Sequence, residues 1–176
     1  MAAAISDALV AMGLTVLSGL AAGIDSIAHE TALARGGRTV AVIGTGLNKH
    51  YPAANHELQN RIAASGLLLS QFWPDAPPQP HNFPMRNAII SGYGIATVVV
   101  EAGETSGARI QARMATQHGR PVILTDLVVN RTEWGKSLLD RPDVHVASSL
   151  DDVMTIVREL VARPARLGAV FDQLAV

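Results

Sequence analysis

The sequence predicts an α/β protein built on a doubly wound, mostly parallel sheet with helices on both faces. Two observations carry that prediction. Short apolar runs rich in β-branched residues alternate with helix-period segments along the chain, the signature of βαβ units. The 176 residues are 48% hydrophobic and 16% charged, which suits one domain with a sizeable core and not a disordered chain.

The elements follow in order. Ala2–Met12 reads as a helix, and Leu14–Gly19 (LTVLSG) as a short buried strand. Asp25–Arg35 reads as a helix with Asp25 as its N-cap and Gly36-Gly37 as its stop. Arg38–Gly44 is a second strand. Asn55–Ala64 is a helix capped by Asn55, and Leu67–Ser70 a third strand. A Pro-rich connector fills Pro74–Pro84. Pro84–Gly92 reads as a helix with proline in its first turn. Ala96–Ala102 is the strongest strand, because Thr97 to Val100 are all β-branched. Ser106–Gln117 is a helix, Pro121–Thr125 and Val144–Ala147 are strands, and Leu150–Val161 is an amphipathic helix. The expectation is one domain over residues 1–162 and a loosely held tail over 163–176.

Composition narrows the function classes. With no cysteine, disulfides and thiolate metal sites are excluded, and an intracellular, cytoplasmic protein is the expectation. No stretch reaches the roughly 20 apolar residues of a membrane span. The apolar start lacks a basic flank and carries Asp7, so it reads as a core helix and not a signal peptide. Net charge is −1, so no global field draws in nucleic acid. The segment from His81 to Arg120 is nonetheless mildly basic, with Arg86, Arg109, Arg113 and Arg120 against Glu101 and Glu104.

In parallel α/β sheets ligands sit at the carboxyl ends of the strands. After the first strand, Ser18-Gly19 opens a small-residue turn that could approach an anion, although Asp25 would repel a phosphate there. His29, alone on an apolar helix, reads as a buried structural residue. After the second strand, Gly44-Thr45-Gly46 is a lone Gly-x-Gly, with neither a dinucleotide fingerprint nor a Walker A loop. Tyr51-Pro52 reads as turn chemistry. After the strongest strand, Ser106-Gly107 opens a helix whose free N–H groups could face an anion, with Arg109 and Arg113 on one face. No catalytic set emerges. No serine lies in a nucleophile elbow, the six histidines have no metal-ligand spacing, and Glu101 is a lone general-base candidate. Neither a metal nor a cofactor is expected.

Three stretches together resemble the DprA/Smf family of DNA-processing proteins. They are Val16–Leu58 (VLSGLAAGIDSIAHETALARGGRTVAVIGTGLNKHYPAANHEL), Asn82–Gly92 (NFPMRNAIISG) and Val98–Ala115 (VVVEAGETSGARIQARMA). The resemblance implies a Rossmann-like, non-enzymatic, homodimeric protein. It would bind single-stranded DNA and load a RecA-type recombinase during natural transformation. It also implies site roles. Phe83 would stack on a base and Arg86 hold the backbone, with Asn82 and Asn87 as polar neighbours and Ser106, Gly107 and Arg109 at the second anion-facing loop. Ala88 stands where the family carries a basic residue, which implies one phosphate contact fewer. The family begins with a strand ending in a Gly-Ser-Arg loop. This chain starts inside the helix that follows, so a shortened N-terminus and two unpaired strand edges are expected.

Two other readings stay open from the sequence. One is a nucleotide-binding or phosphoribohydrolase-like protein of the same broad fold, although its Pro-Gly-Gly-x-Gly-Thr loop is matched poorly by EAGETSGAR. The other is a sensor or partner-binding paralogue without DNA binding.

Overall fold

The structure is a computed structural model that describes residues 1–174, with side-chain environments through Arg163. The chain alternates helix and strand, except where two short helices follow one another before the last strand. The elements are α1 (Ala2–Ala11), β1 (Val16–Ser18), α2 (Ile24–Ala34), β2 (Thr39–Val42), α3 (His56–Ser65), β3 (Leu67–Leu69), α4 (Asn82–Tyr93), β4 (Thr97–Val99), α5 (Gly107–Gln117), β5 (Val122–Thr125), α6 (Asp126–Arg131), α7 (Glu133–Leu138), β6 (Val144–Ala147) and α8 (Leu150–Leu174). All strand pairings are parallel. The Rossmann-like plan therefore holds, with one change. The sheet comes as two three-stranded halves, β1-β2-β3 and β4-β5-β6, with β1 and β4 each at an edge. Among the described residues, β1 and β4 each have a strand partner on one side only.

Apolar strands force this layering. Ala41, Val42 and Ile43 on one half and Val122, Ile123 and Leu124 on the other are at most 2% exposed, so helices must cover both faces. One cluster joins Ile123 and Ala147 to Ile5 of α1 and to Val153, Met154, Val157 and Leu160 of α8. A second packs Ala112 and Ala115 of α5 against Val99, Val122 and Leu124, with Trp134 of α7 sealing it. The third, under the first half-sheet, gathers Leu20, Ala41, Ile43, Leu58 and Ile62.

Several local expectations change. Asp25 lies inside the first turn of α2 and does not cap it; Gly23, at φ 91°, takes the cap position. Asn55 sits at the junction of a 3₁₀ turn and α3, but its side chain donates to the Leu20 carbonyl across the fold. The helix expected from Pro84 starts earlier, at Asn82, which leaves Pro84 inside its first turn. Residues 126–138 form α6 and α7, two short helices not anticipated from sequence. Helix α8 runs to Leu174, beyond the expected end at Val161, and Arg163 is tied to Asp143 at 3.0 Å. The rest of the tail expected over 163–176 lies outside the residues whose side chains are described. No helix among the described residues is long and apolar enough to cross a membrane.

Candidate nucleic-acid interface

Helix α4 carries Asn82, Phe83, Arg86 and Asn87, and its first two turns bolt the two half-sheets together. The Asn82 amide donates to the Gly44 carbonyl at 3.0 Å, just past β2. Arg86 is only 6% exposed. Its guanidinium donates to the Val42 carbonyl at 2.8 Å, to the Gly19 carbonyl, and to the Asn87 side-chain oxygen at 2.9 Å. Asn87 in turn donates to the Gly107 carbonyl at the start of α5. One turn further on, Ser91 meets His118 at 3.1 Å at the far end of α5. Thus Asn82 and Arg86 reach the first half, and Asn87 and Ser91 reach the second.

Arg86 therefore departs from the role of an exposed phosphate clamp. Its Nη1 donates to two main-chain carbonyls and its Nε to Asn87, and burial pulls its ionisation below the usual guanidinium range, opposed by Asp25. Gly19 is the residue that makes room: a Cβ there would lie 2.5 Å from the guanidinium. Ser18 is also committed internally. Its hydroxyl donates to Asp25 at 2.7 Å, and the other Asp25 oxygen accepts from the Ala21 N–H. A carboxylate thus already fills the turn where an anion could have approached. His29 is fully buried, with Nδ1 2.7 Å from the Thr39 hydroxyl; burial drives its pKa to about 4.

The Gly44-Thr45-Gly46 loop has a similar answer. A Cβ at Gly44 would sit 2.8 Å from the Phe83 ring, and one at Gly46 would strike the carbonyls of Trp73 and Pro74. The Gly46 N–H donates to Ala76, and Thr45 is buried. The loop's own chain, in other words, uses the close approach that these glycines allow.

What remains open to solvent is a rim of rings at the carboxyl end of β2. Phe83 lies half-buried over Gly44. The Tyr51 ring sits 5.4 Å from it, tilted by 45°, and Tyr51 is 47% exposed. The Arg86 guanidinium lies 5.9 Å from the Phe83 ring centre on the inner side. Trp73, on the loop whose carbonyls cover Gly46, is also exposed. The Tyr51 ring beside Phe83 was not anticipated from sequence. The available signal was an aromatic in a loop just after a strand, masked by the adjacent proline.

The second loop behaves as expected locally. Ser106 caps α5, accepting from the Ala108 N–H at 3.2 Å, and the Arg109 N–H returns to the Ser106 carbonyl. That leaves few free donors for an anion. The Arg109 and Arg113 side chains are exposed and, with Arg141, line a depression of about 820 Å³ beside Ser106. Glu101 is exposed and lies 3.4 Å from Arg131, a surface pair of small energetic weight.

The profile of the family described as DNA recombination-mediator protein A matches residues 1–158. Protein Smf of Synechocystis is 50% identical over 118 residues, covering 67% of this chain and 30% of that protein. A putative DNA processing protein DprA of Mycobacterium tuberculosis is 36% identical over 178 residues, covering 99% of this chain and 46% of its own length. The chain thus spans less than half of these curated relatives. Among solved structures, DNA processing protein A of Helicobacter pylori, described for its single-stranded DNA binding mode, superposes with a TM-score of 0.79. It is 25% identical, covering 90% of this chain and 72% of that one. With the matched profile spanning both half-sheets and the α4 bolt between them, the chain belongs to the DprA/Smf family of DNA recombination-mediator proteins.

Proposed function

We propose that this chain binds single-stranded DNA along the aromatic rim at the carboxyl end of β2, acting by binding and not by catalysis, as one domain over residues 1–162. The observation that carries this is the Tyr51–Phe83 ring pair, 5.4 Å apart and tilted by 45° at an exposed strand end. Aromatic faces accept any base, with stacking contributing about 1–3 kcal/mol per base. Asn82, Arg86 and Asn87 position Phe83 by fixing the start of α4. Phosphate contacts fall to exposed cations, with Arg109 beside Ser106 and Gly107 as the first candidate. Family membership supports the finer reading: a cytoplasmic homodimer that passes the strand to a RecA-type recombinase during DNA uptake.

Fluorescence anisotropy with labelled oligo-dT and with duplex, at two salt concentrations, tests this. Single strands should bind tighter. Phe83→Leu and Tyr51→Ala should each weaken binding by about 5- to 150-fold, from one lost stacking contact. Unchanged affinity in both variants would remove the rim from the binding site.

A further inference from the structure

The main chain and the side chain of Trp73 do different work. The loop between β3 and α4 is held firmly at this point. The Trp73 carbonyl accepts from the Ala76 N–H, the Pro74 carbonyl from the Asn48 N–H, and the Ala76 carbonyl from the Gly46 N–H, each at 2.9 Å. The Asn48 amide adds a bond to the Asp75 carboxylate at 3.1 Å. Gly46 lets the Trp73 and Pro74 carbonyls press on the loop after β2, where a Cβ would collide with them. The indole shares in none of this. Trp73 is 86% exposed, more than any other large apolar residue among those described.

An indole held out in water by a fixed main chain is free for contact and is not needed for packing. Its surroundings show which contact. Leu47 and Tyr51 on the loop after β2 and Met85 on α4 are exposed as well. Gly44, under the Phe83 ring, and Gly46, under the Trp73 main chain, are two residues apart, so their Cα atoms lie within about 7.6 Å. Trp73 thus stands beside the Tyr51–Phe83 pair, yet among the described residues its ring stacks on neither. Charge separates bases from phosphates here. Asp75 lies two residues further along the same loop, and no ion pair neutralises it among the described residues. A carboxylate repels a phosphate but not the uncharged face of a base.

We infer that Trp73 is a second base-stacking subsite, separate from the Tyr51–Phe83 pair. It takes one unpaired base of the same strand and sets the length of single strand that the chain grips. The inference rests on the DNA-binding reading proposed above. A strand too short to span both subsites is held by the ring pair alone, and a longer one by all three rings.

The chain carries its own probe. It has two tryptophans, and the other, Trp134, is buried, with its indole N–H donating to the Gly103 carbonyl at 3.1 Å. A change in tryptophan emission on adding DNA therefore reports on Trp73. Oligo-dT of graded length is titrated into the full chain, with anisotropy read for affinity and emission for contact. Beyond a threshold length emission should be quenched, and Trp73→Ala should bind about 5- to 150-fold more weakly than the parent, from one lost stacking contact. Below that length the two should bind alike. Trp73→Phe should recover most of the loss and Trp73→Leu little of it, with melting temperatures matching the parent's. If the parent binds no single strand, the DNA reading fails and this inference with it. If Phe83→Leu and Tyr51→Ala weaken binding while Trp73→Ala leaves it unchanged at every length, the Trp73 subsite alone is overturned. Equal affinity of Trp73→Leu and the parent also overturns it, because the contact would then be apolar adhesion without stacking.

Discussion

Replacing Arg86 with methionine separates a positioning role from a phosphate contact. The side chain keeps its length but loses every donor. The carbonyls of Gly19 and Val42 and the Asn87 side-chain oxygen then lose the partners they have in the structure. A buried group left unsatisfied costs about 1–3 kcal/mol. Two buried carbonyls give about 2–6 kcal/mol of destabilisation, reduced because a charge no longer has to be buried. Arg86→Met should thus lower stability by about 2–4 kcal/mol, and Arg86→Lys by nearly as much, since an ammonium lacks the planar fork that reaches all three acceptors. Chemical denaturation measures the first quantity. The salt dependence of oligo-dT binding, under conditions where the variant is folded, measures the second. Each phosphate contact on a single strand contributes a slope of about 0.7 in log K against log salt. The slope should be unchanged if Arg86 faces inward. A variant as stable as the parent whose slope falls by about 0.7 would refute this reasoning and return Arg86 to the DNA backbone.

Other perturbations follow from the same geometry. His29 has a pKa of about 4 in the fold against 6.5 in the open chain, so below pH 6.5 the unfolded state takes up a proton that the folded state refuses. Stability should be flat above pH 6.5 on this account and fall by about 2 kcal/mol by pH 5; denaturation of the parent and of His29→Gln across that range should show the slope only in the parent. Gly46→Ala would drive a methyl into the carbonyls of Trp73 and Pro74. It should destabilise by more than the ordinary 0.5–1 kcal/mol scale of glycine effects, read as a fall in melting temperature. Ser106→Ala removes the α5 cap and should cost about 1 kcal/mol in urea denaturation, with Ser106→Asn recovering most of it.

The fold was legible where periodicity and composition agree. All six strands lie within or overlap the apolar runs read from sequence, because strands buried on both faces have few alternatives. Ser106 was legible as a cap because capping is a local interaction. Asp25 and Asn55 were not, because their side chains are claimed by Ser18 and by Leu20, contacts set by the tertiary fold. The motif over Asn82–Asn87 was legible as a helix start, but the contacts its side chains make were not. The Asn-Phe-Pro-Met-Arg-Asn stretch marks the right helix start. Nothing local shows that the Arg86 guanidinium turns inward over Gly19, since that depends on a carbonyl 67 residues away. Tyr51 joins Phe83 only through the close approach that Gly44 permits, which is likewise invisible without the fold.

The division of the sheet has a consequence for connectivity. Strands β1 to β3 come from residues 16–69 and β4 to β6 from 97–147, so every ladder is closed within one continuous stretch of chain. A single cut in the exposed connector before Asn82 would yield two pieces, each with all of its own strand pairings. The pieces would still exchange one helix in each direction. Helix α1 of the first gives Ile5 to the core of the second, and α4 of the second returns Asn82 and Arg86 to carbonyls of the first. Such reciprocal embrace favours reassembly of separated fragments. A split form of this chain would then act as a reporter of whatever tightens or loosens the joint between its halves.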